Sequence, residues 1–347
     1  MTSPALQDAI DSFVSPRRFL AAASIGLPTR ATLAAAHADL DLWAASRRSP
    51  ADYEPTVAAT RAHYASLVGV GVDCVAIGSQ TSVLTSVFAS SAPTGCEILC
   101  VDGDFSSMVF PFMQRPDITV RSVPLADLAA EVGANTWLVV FSHIQSANGR
   151  VADVAAITAA ATRHGAFTLC DTTQSAGVHP VDAALFDATV CHAYKWLCAP
   201  RGVAFLTVSE RMTDALVPIH AGWFAGEKVW ESCYGPAMTL ATDARRFDVS
   251  PAWPSWVGAE PAIGMFAGLD IAEIWEHASG LGDLLCDGLG IERQHQASVT
   301  WADADGGDLA RLAAAGITAS GRAGRLRAAF HLWNDESDVE AVVAALR

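Results

Sequence analysis

Short apolar runs alternate with amphipathic stretches over the first two thirds of the chain. Six runs are long enough for strands: "CVAIG", "EILCVDG", "TWLVVFSH", "AFTLCD", "DATVCHA" and "GVAFLTV". Helical spacing of apolar residues separates them, as in "VADVAAITAAATRHG", and two more helices are predicted upstream, in "PTRATLAAAHADLDLWAAS" and "EPTVAATRAHYASLVGV". Continuous apolar strands that alternate with helices predict a mostly parallel sheet covered by helices on both faces.

The pattern changes near residue 246. A long helix over residues 260 to about 276 is predicted first, followed by a strand, a helix, two strands and a last helix, "ESDVEAVVAALR". This order is typical of a small, separate α+β domain. We therefore predict three parts: an N-terminal arm (1–22) that packs with the small domain, a large domain (23–245) and a small C-terminal domain (246–347).

Composition and charge narrow the classes of function. The chain has 347 residues, of which 51% are hydrophobic and 17% are charged, as expected of a folded globular protein. The net charge of −15 and the lack of any basic run argue against nucleic acid or an anionic membrane as partner. No signal peptide and no apolar run long enough to cross a bilayer is recognisable, so we expect a cytoplasmic protein.

The spacing of the eight cysteines indicates free thiols and not a metal site. None belongs to a CxxC pair, and several lie in apolar runs where cysteine behaves as a small hydrophobic residue. We therefore expect reduced cysteines and no bound metal.

Polar residues follow four of the predicted strands. Ser79, Gln80 and Thr81 lead from the first strand into a helix, where free N–H groups suit a phosphate, although Ser79 or Thr81 could simply cap the helix. Asp171 ends an apolar strand, where a carboxylate needs a cation or several hydrogen-bond donors. It could also cap the segment that follows.

The other two strand ends carry an amide-rich turn and a lysine. Ser146, Asn148 and Gly149 follow the third strand, and a plain turn would explain them. Lys195 stands among apolar residues in "CHAYKWLCAPRGVAF", although a lysine at the surface can extend its amine to solvent. Taken together, the four strand ends suit a phosphate, a ring nitrogen, a phenolic oxygen and an aldehyde, which are the groups of pyridoxal 5′-phosphate (PLP).

Four motifs resemble those of class V aminotransferase-fold enzymes. "CDTTQSAG" and "DATVCHAYKWLCAPRGVAFL" are similar to the cofactor motif of the family, "DFSSMVFPF" to its ring-stacking segment, and "RLRAAFHLWNDESDV" to its last strand and helix. The family includes cysteine desulfurases, kynureninases, isopenicillin-epimerase-like proteins and C–S lyases. The resemblance implies a fold type I PLP-dependent enzyme with a mostly parallel seven-stranded sheet and a small C-terminal α+β domain.

The resemblance also implies roles for individual residues around the cofactor ring. Lys195 would form the Schiff base with PLP and later move the Cα proton of the substrate. Asp171 would pair with the pyridinium nitrogen, Gln174 would reach the phenolic oxygen with help from Asn148, and Phe105 would stack on the ring.

Further implied roles concern the phosphate, the substrate and a second subunit. The residues that would hold the phosphate are Ser79, Gln80, Thr81, His192 and Tyr194. Ser250 matches a loop that reaches the phosphate of the other subunit, which implies a homodimer with composite sites. Arg327 would bind the α-carboxylate of an amino-acid substrate as a fork.

The sequence leaves the reaction open. Desulfurases of this family carry a reactive cysteine shortly before the substrate arginine, whereas residues 316–327 contain none, so a cysteine-persulfide desulfurase is disfavoured. Our first hypothesis is an aminotransferase-like enzyme acting through an external aldimine and Cα deprotonation. The alternatives are a C–S or C–C lyase, of elimination or kynureninase type, and a catalytically silent protein of the same fold. The joint presence of Lys195, Asp171, Gln174 and Arg327 argues against the silent protein.

Overall fold

The computed structural model describes residues 3–14 and 18–347. Seven strands form the central sheet: β1 (Val75–Gly78), β2 (Glu97–Val101), β3 (Thr119–Val123), β4 (Thr136–Ser142), β5 (Phe167–Asp171), β6 (Ala188–His192) and β7 (Ala204–Val208). Their order is β1-β7-β6-β5-β4-β2-β3, and β7 runs antiparallel to both of its neighbours while the other six strands are parallel. This arrangement confirms the predicted α/β fold with a mostly parallel seven-stranded sheet.

Helices cover both faces of the sheet. The helices are α1 (Pro4–Asp11), α2 (Arg30–Ala44), α3 (Glu54–Leu67), α4 (Thr81–Ser91), α5 (Ser106–Met113), α6 (Val154–His164), α7 (Glu210–Thr213), α8 (Trp253–Ala267), α9 (Ile271–Leu289), α10 (Gly307–Ala314) and α11 (Glu336–Leu346). Successive strand residues point to opposite faces, so in β2 Ile98 and Cys100 pack with α4 and α5, whereas Leu99 and Val101 pack in the core that includes α6. Burial on both faces explains why these strands are continuous apolar runs.

A second, antiparallel sheet lies in the C-terminal part of the chain. Its strands are β8 (Ser298–Ala302), β9 (Ser320–Arg322) and β10 (Arg325–Ala329), in the order β8-β10-β9. The arm predicted over residues 1–22 runs beside this sheet. The N–H of Leu20 donates to Thr318 O, and the N–H of Ala329 donates to Leu20 O. Residues 1, 2 and 15–17 of that arm lie outside the described residues.

The single long helix predicted over residues 260 to about 276 is wrong. Helix α8 ends at Ala267, and α9 begins at Ile271 after Asp270, whose carboxylate accepts a hydrogen bond from Ala272 N. A glycine followed two residues later by a capping aspartate separates two helices whose apolar patterns merge in sequence.

Helix α8 packs on the large unit, although the predicted boundary at residue 246 assigns it to the small domain. Trp253 stacks on Tyr53 with 5.3 Å between ring centres, and Trp256 meets Phe205 of β7 edge-on at 5.5 Å. The division into domains stays a prediction.

No helix in the described part of the chain is long and apolar enough to span a membrane.

Candidate active site

The carboxyl ends of the parallel strands meet at one edge of the central sheet. β1 ends at Gly78, β4 at Ser142, β5 at Asp171 and β6 at His192. In open α/β sheets, ligands bind at this edge, because loops and helix N-termini gather there. The topology therefore brings the polar residues predicted from the four strand ends to the same side of the fold.

Lys195 is a buried amine in the turn that follows β6. Its side chain is 6% exposed, and Nζ lies 5.4 Å from the centre of the Phe105 ring and 5.7 Å from that of Tyr194. Burial lowers the pKa of Lys195 to about 8, while the carboxylate of Asp171 acts in the opposite direction. A substantial fraction of the Lys195 amine is therefore neutral near physiological pH, and a neutral amine can act as a nucleophile and as a proton carrier.

Asp171 supplies a buried carboxyl group at the end of β5. Its Oδ1 accepts a hydrogen bond of 2.8 Å from Thr173 N. Burial raises the pKa of Asp171 to about 6, although this hydrogen bond and the charge of Lys195 favour the ionised form. A protonated ring nitrogen beside this carboxylate would compensate its lost hydration.

The start of helix α4 forms one side of the candidate phosphate site. The N-cap is Gln80, which makes no side-chain capping hydrogen bond, so neither Ser79 nor Thr81 acts as the cap that the sequence left open. The first N–H groups of an α-helix have no partner within the helix and bind anions readily. Thr81 is buried, Ser79 is half-buried and Gln80 is exposed.

His192 and Tyr194 lie close together on either side of Ala193, just before Lys195. Their ring centres are 4.4 Å apart, and the buried His192 Nε2 has no hydrogen-bond partner among the described residues. Burial lowers the pKa of His192 to about 4, with Arg201 acting in the same direction, so the imidazole is neutral. The guanidinium of Arg201 lies 5.1 Å from the centre of the Tyr194 ring. Arg201 is not predicted from the sequence, because nothing in the local pattern distinguishes it from a surface arginine.

Phe105 is held at the site by the residue before it. The carboxylate of Asp104 accepts hydrogen bonds from Phe105 N at 2.7 Å, from Ser142 N at 2.9 Å and from Gln145 Nε2 at 3.2 Å. Asp104 therefore ties the start of α5 to the end of β4. Neither Asp104 nor Gln145 is among the site residues predicted from the sequence.

The two amides predicted at the phenolic oxygen differ in placement. Gln174 is buried, and its Nε2 donates to Ala23 O at 3.1 Å and to Ser146 Oγ at 3.0 Å, while Trp196 Nε1 donates to the Oε1 of Gln174.

Asn148, in contrast, is exposed, and its Oδ1 accepts from Arg150 N, which closes a turn. The contacts of both amides with the cofactor stay predictions. The buried amide that directly follows β4 is that of Gln145, not Asn148.

Arg327 is a buried cation in the middle of β10. Its Nε donates to Ser320 Oγ at 3.2 Å, Nη1 to Ser146 O at 2.6 Å and Nη2 to Ser24 Oγ at 2.9 Å. All three acceptors are neutral, and within residues 3–14 and 18–347 no carboxylate lies within ion-pair distance of it. Burial lowers the pKa of Arg327 to about 10, which still leaves it charged at neutral pH. A cation held only by neutral groups is suited to a carboxylate ligand.

Ser250 is exposed on a loop that runs beside β1, where Val249 N donates to Ile77 O at 3.0 Å. The loop is anchored by Asp248, whose carboxylate pairs with both Nη atoms of Arg61 and accepts from Ile77 N at 2.8 Å. The contact of Ser250 with a second subunit stays a prediction.

In the described ranges, no group of three or more His, Cys, Asp and Glu side chains could hold a metal ion.

Comparison with known proteins identifies the family. The model of the aminotransferase class-V family matches residues 114–304, more than half of the sequence, and the chain belongs to this family of PLP-dependent enzymes. Its cofactor is PLP. The described residues fit this group, because a buried amine, a buried carboxyl group, an unpartnered imidazole nitrogen and a free helix N-terminus gather at one edge of the sheet.

The relatives differ in their named activities. The uncharacterized aminotransferase YcbU of Bacillus subtilis is 30% identical over 62% of this chain and 60% of its own length. A kynureninase of Deinococcus radiodurans is 29% identical over 70% of this chain and 61% of its own length. The chain thus spans about three fifths of the length of these curated relatives.

Solved structures share the fold along almost the whole chain. The structure of the cystine C–S lyase C-DES with its product cysteine persulfide has a TM-score of 0.86 at 21% identity and covers 96% of this chain and 98% of that chain. The cysteine desulfurase CsdA of Escherichia coli has a TM-score of 0.84 at 19% identity, with coverages of 98% and 97%. At such low identity, the likeness concerns the fold alone.

Proposed function

We propose that this protein is a PLP-dependent enzyme that acts on a small-molecule amino acid, with transamination as the first candidate reaction. The observation that supports this proposal is the grouping of Lys195, Asp171 and Arg327. Lys195 supplies a buried amine with a lowered pKa, and Asp171 supplies a buried carboxylate. Arg327 supplies a guanidinium whose described acceptors are all neutral.

PLP, when bound, withdraws electrons from the Cα atom of an amino acid. The residues of this chain would supply the rest. Lys195 would hold the cofactor and carry a proton to and from Cα, because its amine can be neutral near physiological pH. Asp171 would keep the ring nitrogen protonated, and Arg327 would bind the α-carboxylate and so orient the bond to be broken.

A lyase that cleaves a C–S or C–C bond is the second candidate, and persulfide formation by a cysteine is disfavoured. All eight cysteines lie in the described part of the chain, and each is buried or half-buried. Burial raises the pKa of Cys191, the buried thiol at the end of β6, to about 12, and it also raises the pKa of Cys198. A thiolate nucleophile is therefore costly to form at these positions.

We also propose a homodimer in the cytoplasm. Helix α2 exposes four large apolar side chains, Leu33, Leu40, Leu42 and Trp43. An apolar group of this kind suits burial against a second copy, and Ser250 is exposed as a residue that reaches a partner subunit must be. The unpaired cysteines agree with a reducing compartment.

The sequence provides a matched control for a test of Lys195. The chain contains two lysines, Lys195 and Lys228, and the second is an exposed residue paired with Glu231 at 3.1 Å. The experiment is to load the protein with PLP, reduce it with borohydride and locate the retained cofactor by peptide mass spectrometry. We expect cofactor on Lys195 in the wild type and in Lys228→Ala, and none in Lys195→Ala.

The same protein distinguishes the reactions. Loaded enzyme is incubated with single L-amino acids, and the cofactor and products are separated by chromatography. Conversion of the cofactor to its amine form indicates transamination, whereas 2-oxo acid or alanine release with unchanged cofactor indicates a lyase. Cofactor on Lys228, or turnover by Lys195→Ala, would contradict the assignment of Lys195.

A further inference from the structure

Arg322 adds a second guanidinium to the surroundings of Arg327. It is the last residue of β9, and it is exposed. Its Nη1 donates to Gly321 O at 2.7 Å, and among the described residues no carboxylate lies within ion-pair distance of it. Such a side chain is free to bind an anionic group.

The strand register places Arg322 and Arg327 on the same face of the small sheet. Arg327 lies directly opposite Ser320, and Arg322 follows Ser320 by two residues on β9. Residues opposite each other in an antiparallel pair share a face, and so do residues two apart on one strand. Arg322 is therefore the diagonal neighbour of Arg327, at a spacing of about 7–8 Å that two long side chains can bridge.

Electrostatics agree with this placement. Burial is the main reason for the lowered pKa of Lys195, and the charges of Arg327 and Arg322 lower it further. Both guanidiniums therefore act on the amine that would react. Neither guanidinium has a carboxylate partner among the described residues, although the whole chain has a net charge of −15.

An acidic residue that contacts the β9–β10 hairpin does not neutralise Arg322. Asp303 pairs with the β9–β10 hairpin through its N–H, which donates to Gly324 O. Its carboxylate, however, accepts from the N–H groups of Asp308 and Leu309 at the start of α10. The hairpin thus presents an arginine to the site without a described counter-ion.

We propose that the site takes a substrate with two carboxylates, an acidic amino acid or the matching 2-oxo acid, in which Arg327 binds the α-carboxylate and Arg322 the second one. This inference rests on the proposed function. Both contacts are charge-assisted hydrogen bonds, which discriminate strongly against a neutral amide of the same size.

The test compares isosteric substrates on the PLP-loaded protein. The probes are L-aspartate against L-asparagine and L-glutamate against L-glutamine, with L-alanine as a reference and apparent affinity measured from the change in cofactor absorbance. Of aspartate and glutamate, we expect the one that binds more tightly to exceed the affinity of its own amide by about tenfold. In Arg322→Gln that ratio should fall below about threefold.

Arg325→Gln is the matched control. Arg325 lies opposite Arg322 in the same hairpin, but its guanidinium donates to Thr300 O and Thr300 Oγ1. This variant removes the same charge and should keep the preference for the acid. Equal binding of acid and amide by the wild type, or an equal loss of preference in both variants, would overturn the inference. If the loaded protein binds alanine but shows no preference for acids over amides, only this inference fails. If no amino acid alters the cofactor absorbance, the proposed function fails as well.

Discussion

Gly26 offers a direct test of how the lysine turn is held in place. Its N–H donates to Tyr194 O at 2.9 Å, so the segment before α2 lies directly on the turn that carries Lys195. A Cβ atom at Gly26 would lie 2.0 Å from Lys195 O and 2.9 Å from Cys198 Cα. Both are backbone atoms and cannot rotate away.

The size of the effect follows from these distances. Ordinary contact begins at 3.4 Å, so Gly26→Ala must separate the Cβ atom and the Lys195 carbonyl by about 1.4 Å. Overpacking of this kind costs about 1–3 kcal/mol in the free energy of unfolding. A shift of about 1 Å at a reacting group can cost about a hundredfold in rate. We therefore expect a folded protein that captures PLP at Lys195 at least about tenfold more slowly.

The assay is urea unfolding of the apo-protein together with the rate of PLP capture followed by absorbance. Gly133→Ala is the control, because a Cβ there meets nothing within 4 Å and neither glycine has a left-handed backbone. It should change stability by less than about 0.5 kcal/mol and leave capture unchanged. If Gly26→Ala matched Gly133→Ala in both measurements, the proposed contact between this segment and the lysine turn would be refuted.

Two further predictions concern the buried charges. Arg61→Met leaves the carboxylate of Asp248 buried and unpaired, so it should lower the free energy of unfolding by about 3–5 kcal/mol in urea titrations. Arg293→Met, which breaks the exposed pair with Asp287, should lower the free energy of unfolding far less, and equal losses in the two variants would contradict the reasoning. The rate of PLP capture by the apo-protein should rise with pH and level off above about 8, because the neutral amine of Lys195 reacts and burial lowers its pKa from 10.5 to about 8. A rate that keeps rising to the ordinary pKa of lysine would contradict this lowered value.

Local patterns were sufficient for the fold class and for the cofactor. The strands of the central sheet are buried on both faces, so each appears in the sequence as a continuous apolar run, and the parallel order follows from the helices between them. The residues around Lys195 form a contiguous motif, so they could be identified without knowledge of their partners. The helix boundary at Gly268 was missed, because the apolar spacing of α8 and α9 continues across it.

Only the tertiary structure decided which distant residues meet at the site. Gln145 is buried against Asp104 while Asn148 closes an exposed turn, a difference that depends on packing between strands and not on local composition. Arg322 and Arg327 become neighbours through strand register, in which a shift of one residue would turn a side chain to the other face. The sequence by itself therefore determined the fold class and the chemistry of the cofactor. The surroundings of the substrate depend on long-range contacts between segments hundreds of residues apart, such as that of Ser24 with Arg327.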